Sequence, residues 1–359
     1  MLKLDFGSAI KWTKAFKWQH SSTGVCRIQI PYLKVMHETD MWNKASFLTR
    51  LVASSVRVSE AAGGIIKNVM AGGDLKIVDK STNGEPSDPQ TEADRRAQFL
   101  IVKSLTERFG GINIIGEEDI TSDCNSVEKT FSCDVLQLED QIGQDLKSIK
   151  PEEVVVWVDP LDGTSEVAVA VKNKNAALLE QVTVLIGIAY HGRPVAGVIH
   201  QPYHDGVGRT IWAIRGCGVH GIVPAPAQDA RVVVTTRSHL NQNVLDALDA
   251  LKEKGLASTV EKFGGAGFKV LKVLEGCAAY VFASKGCKKW DTCAVEAVLS
   301  AAGGRLTDIS GRDLCYDASV QRNNTGGVLA SAPWVNHEEY IKSIPQSLKD
   351  QLPEVAAKS

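Results

Sequence analysis

Two aspartates stand three residues apart in Trp157-Val-Asp159-Pro-Leu-Asp162-Gly-Thr164. Like charges that close are costly unless a cation bridges them. Pro160 and Gly163 impose a tight turn, and Gly163 lets backbone approach a ligand closely. A helix starting there would offer free N–H groups to phosphate. An Asp-Pro-x-Asp-Gly turn can be purely structural. Such a turn does not require the apolar run Val154–Val158 that leads into this one.

Three further acidic groups recur at the ends of elements. In Thr91-Glu-Ala-Asp94 the spacing is that of a capping box, which alone would explain Asp94. The alternative aims the Asp94 carboxylate into a cleft. Glu117, Glu118 and Asp119 follow Gly116, either as a solvated turn or as oxygen ligands for a hard cation. Asp291, in Lys289-Trp-Asp-Thr292, makes a good N-cap. Gly264-Gly-Ala-Gly267 opens a helix suited to an anion, with Lys269 just inside it, and Thr235-Thr-Arg-Ser-His239 ends a strand with hydrogen-bond donors. Together Asp94, Glu117, Asp159, Asp162 and Asp291 form the inventory of a multi-metal phosphatase, with oxygen ligands for Mg²⁺ beside phosphate donors.

Positioning these residues requires a layered scaffold. Helical periodicity runs from Ser46 through Leu48, Leu51, Val52, Val56, Ala61, Ile65, Ile66 and Val69 to a stop at Gly73. A second helix is expected over 91–109 and a short strand over 112–115. The next strand covers 154–158, stopping at Asp159, and others cover 182–190, 195–201 and 209–214. After about residue 225 strands and helices alternate, which argues α/β layering. Residues 117–153 hold eleven acids against three lysines and read as a solvated insertion.

The whole chain bounds the answer. A length of 359 residues suggests about two domains or one large α/β domain. With 44% hydrophobic and 23% charged residues, bulk disorder is excluded. No apolar run reaches the ~18 residues of a membrane helix. A net charge of −2 leaves no basic footprint for nucleic acid. No Cys-x-x-Cys or zinc-like spacing occurs, and no EF-hand loop. The scattered cysteines read as reduced thiols, so the expected location is cytoplasmic. Residues 1–43 are basic and acid-poor: a disordered tail, a mis-assigned start or a transit peptide, the last making mitochondrial location the alternative.

Thr91-x-x-Asp94, Gly116-Glu-Glu118, Trp157–Thr164 and Trp290-Asp291 resemble the motifs of the lithium-sensitive, magnesium-dependent phosphomonoesterases, which include inositol monophosphatase and fructose-1,6-bisphosphatase. More narrowly, Val182–Tyr190, Gly208–Trp212, Thr235–His239, Gly264–Gly267 and Phe282–Cys293 are similar to the 3'(2'),5'-bisphosphate nucleotidases of that group. The likeness covers roughly 46–350. It departs at 167–180, longer than the family pattern, and at 203–208, shorter.

The resemblance implies a five-layer α/β/α/β/α sandwich. Composition and the change in element pattern divide the chain into the 1–43 extension, a half over 44–205, which the resemblance makes the metal-binding one, and an α/β half over 206–359. The resemblance implies two or three Mg²⁺ ions on Glu117, Asp159, Asp162, Asp291 and the Leu161 carbonyl. It makes Asp94 and Thr164 the pair that activates water, with no protein nucleophile. Gly163, Thr164, Thr236, His239, Gly265 and Lys269 would hold the substrate, adenosine 3',5'-bisphosphate, which would yield AMP and phosphate. The expected partner is this small molecule, with no nucleic-acid polymer or membrane, and a monomer is favoured. Two other readings stay open: a phosphatase of inositol 1,4-bisphosphate, and a non-catalytic metal- or nucleotide-binding regulator.

Overall fold

The computed structural model describes residues 31–73, 75–81, 89–119 and 126–353. The chain divides into two units, residues 1–44 and residues 45–359. In the first, α1 (Pro31–Lys44) is a helix, with Lys44 Nζ 2.6 Å from Asp40 Oδ2. Residues 31–43 of the expected tail are therefore helical. The transit-peptide and alternative-start readings concern a stretch whose residues 1–30 lie outside the described residues.

The second unit opens with α2 (Phe47–Gly72), a short ribbon of β1 (Val78–Asp79) and β2 (Pro89–Gln90), and α3 (Glu92–Arg108). Then come β3 (Asn113–Gly116), α4 (Cys133–Leu136), α5 (Gln144–Lys147), β4 (Val154–Asp162) and α6 (Thr164–Asn173). β5 (Thr183–Tyr190), β6 (Arg193–Gln201), β7 (Arg209–Ile214) and β8 (Val219–His220) complete a sheet ordered β3-β4-β5-β6-β7-β8. A second sheet is built from β9 (Val232–Thr236), β10 (Thr259–Phe263), β11 (Ala279–Phe282), β12 (Arg305–Thr307) and β13 (Val328–Ser331), in the order β10-β9-β11-β13-β12. Its helices are α7 (Gln242–Glu253), α8 (Ala266–Leu274), α9 (Lys289–Ala301), α10 (His337–Ser343) and α11 (Gln346–Gln351). Residue 206 lies between β6 and β7, which pair with each other, so the sheets part only after His220.

Five layers result. α2 and α3 cover one face of the six-stranded sheet, and α8 and α9 cover the other. The far side of those two helices meets the five-stranded sheet, which α7 and α10 back. α2 buries Leu48, Leu51, Val52, Val56, Ile66 and Val69, but Ala61 and Ile65 are only half-buried. It ends where Gly73 turns left-handed at φ 78°. Trp157 is wholly buried in β4, and its Nε1 donates to the Tyr316 carbonyl at 2.9 Å, tying the first sheet to the second unit's C-terminal portion.

Three local expectations change. Residues 126–153 are not a solvated insertion: Val135, Leu136, Ile142, Leu146 and Ile149 are buried, and α4 and α5 pack on α2. The alternation expected after residue 225 is broken at β12 and β13, which follow one another with no helix between them, and β10 is a mostly exposed edge strand. β4 does not stop at Asp159 but runs to Asp162 through a bulge, since Asp159 pairs with Leu185 and Asp162 with Thr183. Three steps on β4 thus oppose two on β5. Residues three apart on a regular strand face opposite sides; the extra residue returns both aspartates to one face. Pro160, which cannot donate to a ladder, sits in that bulge.

Both sheets and their core lie within 45–359. A chain begun at Met41 is expected to stay soluble and melt cooperatively. An insoluble truncation would show that the residues before Met41 are required for folding.

Candidate active site

Asp94 enters the site from the first turn of α3. Thr91 is the N-cap, and the full capping box forms: Thr91 N–H donates to Asp94 Oδ2 at 2.8 Å and Asp94 N–H donates to Thr91 Oγ1 at 3.5 Å, with Ala93 N–H also donating to that oxygen at 3.1 Å. The cap does not exhaust the carboxylate. Thr164 Oγ1 stands 2.9 Å from Asp94 Oδ1 and 3.0 Å from the Leu161 carbonyl, so its one hydroxyl proton links α3 to the end of β4. Asp94 is 0% exposed. Burial pushes its pKa up to about 6 against the hydrogen bonds from Thr91, with Glu118 adding to the rise and Thr164 opposing it.

Glu117 leaves β3 with its N–H still bonded to the Val158 carbonyl at 3.1 Å. Gly116 permits this approach, because a Cβ there would lie 2.4 Å from Gln98 Oε1. Gln98 accepts the Glu118 N–H at 2.8 Å and so fixes the acidic turn. Lys80 Nζ meets Glu117 at 3.2 Å and Glu118 at 2.8 Å. The turn is thus neither freely solvated nor uncompensated.

Asp159 accepts the Leu161 N–H through Oδ1 at 3.1 Å. Asp162 is spanned by the start of α8. Its Oδ1 accepts Ala266 N–H at 2.8 Å, and its Oδ2 accepts Gly267 N–H and Thr183 Oγ1–H, each at 2.7 Å. The anion at that helix start is therefore Asp162, not a phosphate as the glycine-rich loop suggested. Gly265 is required there: φ is +60°, and a Cβ would stand 2.8 Å from Asp162 Oδ2. Asp291 is not the N-cap of α9 but its third residue, accepting Lys288 N–H at 2.7 Å.

One cavity of about 470 Å³ gathers these elements. It is lined by Glu117, Asp159, Leu161, Asp162, Gly163, Thr164, Thr236, His239, Gly265, Lys269 and Asp291. Asp94 lies behind the wall and reaches it through Thr164. Lys269 is 5% exposed, donates to the Gly265 carbonyl at 2.6 Å and lies 5.1 Å over the Tyr280 ring. Burial lowers its pKa, while Asp162 and Glu166 oppose the fall. Thr236 Oγ1 accepts the His239 N–H at 3.1 Å, closing the turn that carries both residues. Glu166, Tyr280, Phe282, Cys287 and Lys288 also line the cavity and were not singled out from sequence. Of these, Phe282, Cys287 and Lys288 lie within the Phe282–Cys293 segment that carried the resemblance.

The acids raise one another. Burial is the first cause for Asp159, followed by Glu117, Asp162, Asp291 and Asp94. Burial also leads for Asp291 and Asp162; Asp162 pushes Asp291 higher, while Lys269 holds Asp162 down. Among the described residues no three His, Cys, Asp or Glu side chains stand gathered to hold a metal ion. Each acid is also tied to a protein donor. The donor chemistry nevertheless fits a hard divalent ion: carboxylates and one carbonyl, buried and mutually destabilised, around shared space.

The inositol monophosphatase family model matches residues 48–349. The 3'(2'),5'-bisphosphate nucleotidase 1 of Mus musculus is 44% identical over 326 residues, covering 87% of this chain and 99% of its own. The Golgi-resident adenosine 3',5'-bisphosphate 3'-phosphatase of Callithrix jacchus is 30% identical over 318 residues, covering 83% and 81%. Among solved structures, extragenic suppressor protein suhB from Bartonella henselae superposes with a TM-score of 0.58 at 19% identity, covering 82% of this chain and 97% of its own. At that identity the likeness bears on fold alone, and it is the layered α/β sandwich expected.

The expectation of a cytoplasmic protein does not stand, because one of these relatives is Golgi-resident. The cysteine pattern therefore does not fix a compartment for this fold. The described cysteines, Cys133, Cys217, Cys277, Cys287, Cys293 and Cys315, are all free thiols. Among the described residues no helix is long and apolar enough to cross a membrane.

Proposed function

This chain belongs to the inositol monophosphatase family, and on that premise we propose that it is a metal-dependent phosphatase that removes the 3'-phosphate of adenosine 3',5'-bisphosphate, giving AMP and inorganic phosphate. The observation that carries the reading is the single cavity where buried, mutually repelling carboxylates face Thr236, His239 and Lys269. The likeness to a nucleotidase across nearly all of that enzyme's length supports the choice of substrate.

Glu117, Asp159, Asp162, Asp291 and the Leu161 carbonyl would hold Mg²⁺, as two or three ions. A divalent cation held there would supply Lewis-acid chemistry, favouring deprotonation of the attacking water and neutralising phosphoryl charge. Inhibition by Li⁺ follows from the same family reading. The chain's own work is acid–base and positional. Asp94, with a pKa near 6, is ionised at neutral pH and takes a water proton through the Thr164 hydroxyl. The water oxygen attacks phosphorus, the bond to the 3'-oxygen breaks, and that oxygen takes up a proton. Thr236, His239, Gly265 and Lys269 hold the retained 5'-phosphate and nucleoside, with Gly163 and Thr164 beside the departing phosphate. Positioning and charge neutralisation suffice for phosphoryl transfer, so no covalent intermediate is invoked.

Substrate choice is tested at Lys269 and His239. Adenosine 3',5'-bisphosphate and inositol 1,4-bisphosphate present the same scissile group, so selectivity must arise beyond the acids. A hydrogen bond to a charged group contributes ~1.5–3 kcal/mol. Lys269→Met and His239→Ala should each cut kcat/KM on the nucleotide by about 10- to 100-fold. The loss on inositol 1,4-bisphosphate should be smaller. Equal losses on both would return the two residues to a structural role.

A further inference from the structure

One built feature of the cavity has no part in the steps above. Glu166, third residue of α6, is 1% exposed and lines the cavity. Its Oε1 accepts a hydrogen bond from Arg237 Nη2 at 2.7 Å. Arg237 directly follows β9, so the ion pair joins the end of the first sheet's β4–α6 segment to the second sheet. The pair is tightly enclosed. A Cβ on Gly264 would stand 1.7 Å from Glu166 Cδ, so glycine backbone passes directly over the carboxylate. Gln181 Oε1 accepts the Gly264 N–H at 2.6 Å, and Asp162 takes those of Ala266 and Gly267. Side chains from the first sheet's side thus grip the loop that leads to Lys269.

Arg237 is poorly served as a merely stabilising residue. Its Nε is buried with no hydrogen-bond partner, a costly state for a guanidinium. What it does hold is the recognition turn. Its N–H donates to the Phe263 carbonyl at 2.9 Å, beside the 264–267 loop, and Thr236 and His239 flank it in sequence. We propose that Glu166 and Arg237 are positioning residues whose ion pair locks the Thr236–His239 turn against the 264–267 loop and so sets the subsite for the substrate's retained phosphate. This rests on the nucleotidase reading, because only a substrate with a second phosphate reports on that subsite.

The test compares adenosine 3',5'-bisphosphate with adenosine 3'-monophosphate, which keeps the scissile phosphate and lacks the retained one. Glu166→Gln and Arg237→Gln are each expected to raise KM for the bisphosphate about tenfold, from loss of one charge-assisted hydrogen bond. The monophosphate KM should move much less. The double variant should be no worse than either single, since both remove one interaction. Arg237→Lys, which keeps the charge and should fold if the glutamines do not, should recover part of the loss. Equal losses on both substrates, or additive losses in the double variant, would overturn the proposal. A wild-type protein that hydrolyses neither compound would instead overturn the nucleotidase reading.

Discussion

Phosphate release in excess chelator is expected to fall to background, and added Mg²⁺ to restore it. The bulge in β4 places Asp159 and Asp162 on one face, and Glu117, Asp162 and Asp291 raise the proton affinity of the buried Asp159 further. Among the described residues the cations are shared out rather than set against the whole group: Lys80 serves Glu117 and Glu118, Lys269 serves Asp162, and Lys288 serves Asp291. A readout independent of turnover follows from linkage. The Asp94 pKa is raised in the fold from 3.8 to about 6. A carboxyl raised in this way favours the fold fully below about pH 4, and that contribution is lost as pH rises through about 6. The cation-free protein should lose this stability over the same window. Mg²⁺ needs the ionised acids, so its stabilising effect in thermal melts should grow from pH 5 to pH 8. His200 and His337, lowered to about 4 by burial, titrate in the opposite sense with or without Mg²⁺ and cancel from the difference. Chelator-resistant turnover would refute the metal-dependent reaction, and a Mg²⁺ effect independent of pH would remove these acids from it.

Asp94→Asn should lower the phosphate-release rate by a factor on the order of 10²–10⁴, the usual contribution of a positioned general base. The substitution keeps side-chain shape and one acceptor oxygen, which can still take the Thr91 N–H. It loses the second acceptor, which faces Thr164. If Asp94 served only as the third-position partner in the Thr91 capping box, the variant should lose about 1 kcal/mol of stability and keep most of its rate. If the Asp94–Thr164 contact moves a proton, Thr164→Val should fall in rate alongside it. A melt separates the two accounts, and near-normal turnover in Asp94→Asn would return the residue to the helix cap.

What the linear chain revealed was governed by near neighbours. The Thr91–Asp94 box was legible because cap geometry spans three residues and formed as its spacing required. The α2 stripe and its Gly73 stop depend on one helix's own period, so they too could be read locally. Even there the face was imperfect: Ala61 and Ile65 are half-buried, because which side of a helix is covered is decided by its neighbours. The acidic residues over 126–153 looked solvated by charge alone, yet α2 supplies an apolar face on which that segment's leucines and isoleucines pack.

Residue types and spacing alone singled out five candidate oxygen ligands near the ends of elements and the α/β layering, since each follows from short-range sterics and hydrophobic period. Tertiary structure alone decided what those groups meet. Asp162 occupies the start of α8, 104 positions away along the chain, which no local rule could anticipate. A one-residue bulge turned Asp159 and Asp162 to the same side, an outcome of pairing with β5 rather than of their own spacing. Lys80 came to the acidic turn after β3, and Glu166 to Arg237, across separations of 38 and 71 residues. Such pairings are settled by burial, where unpaired charge is costly and the partner is whichever opposite group the fold brings near.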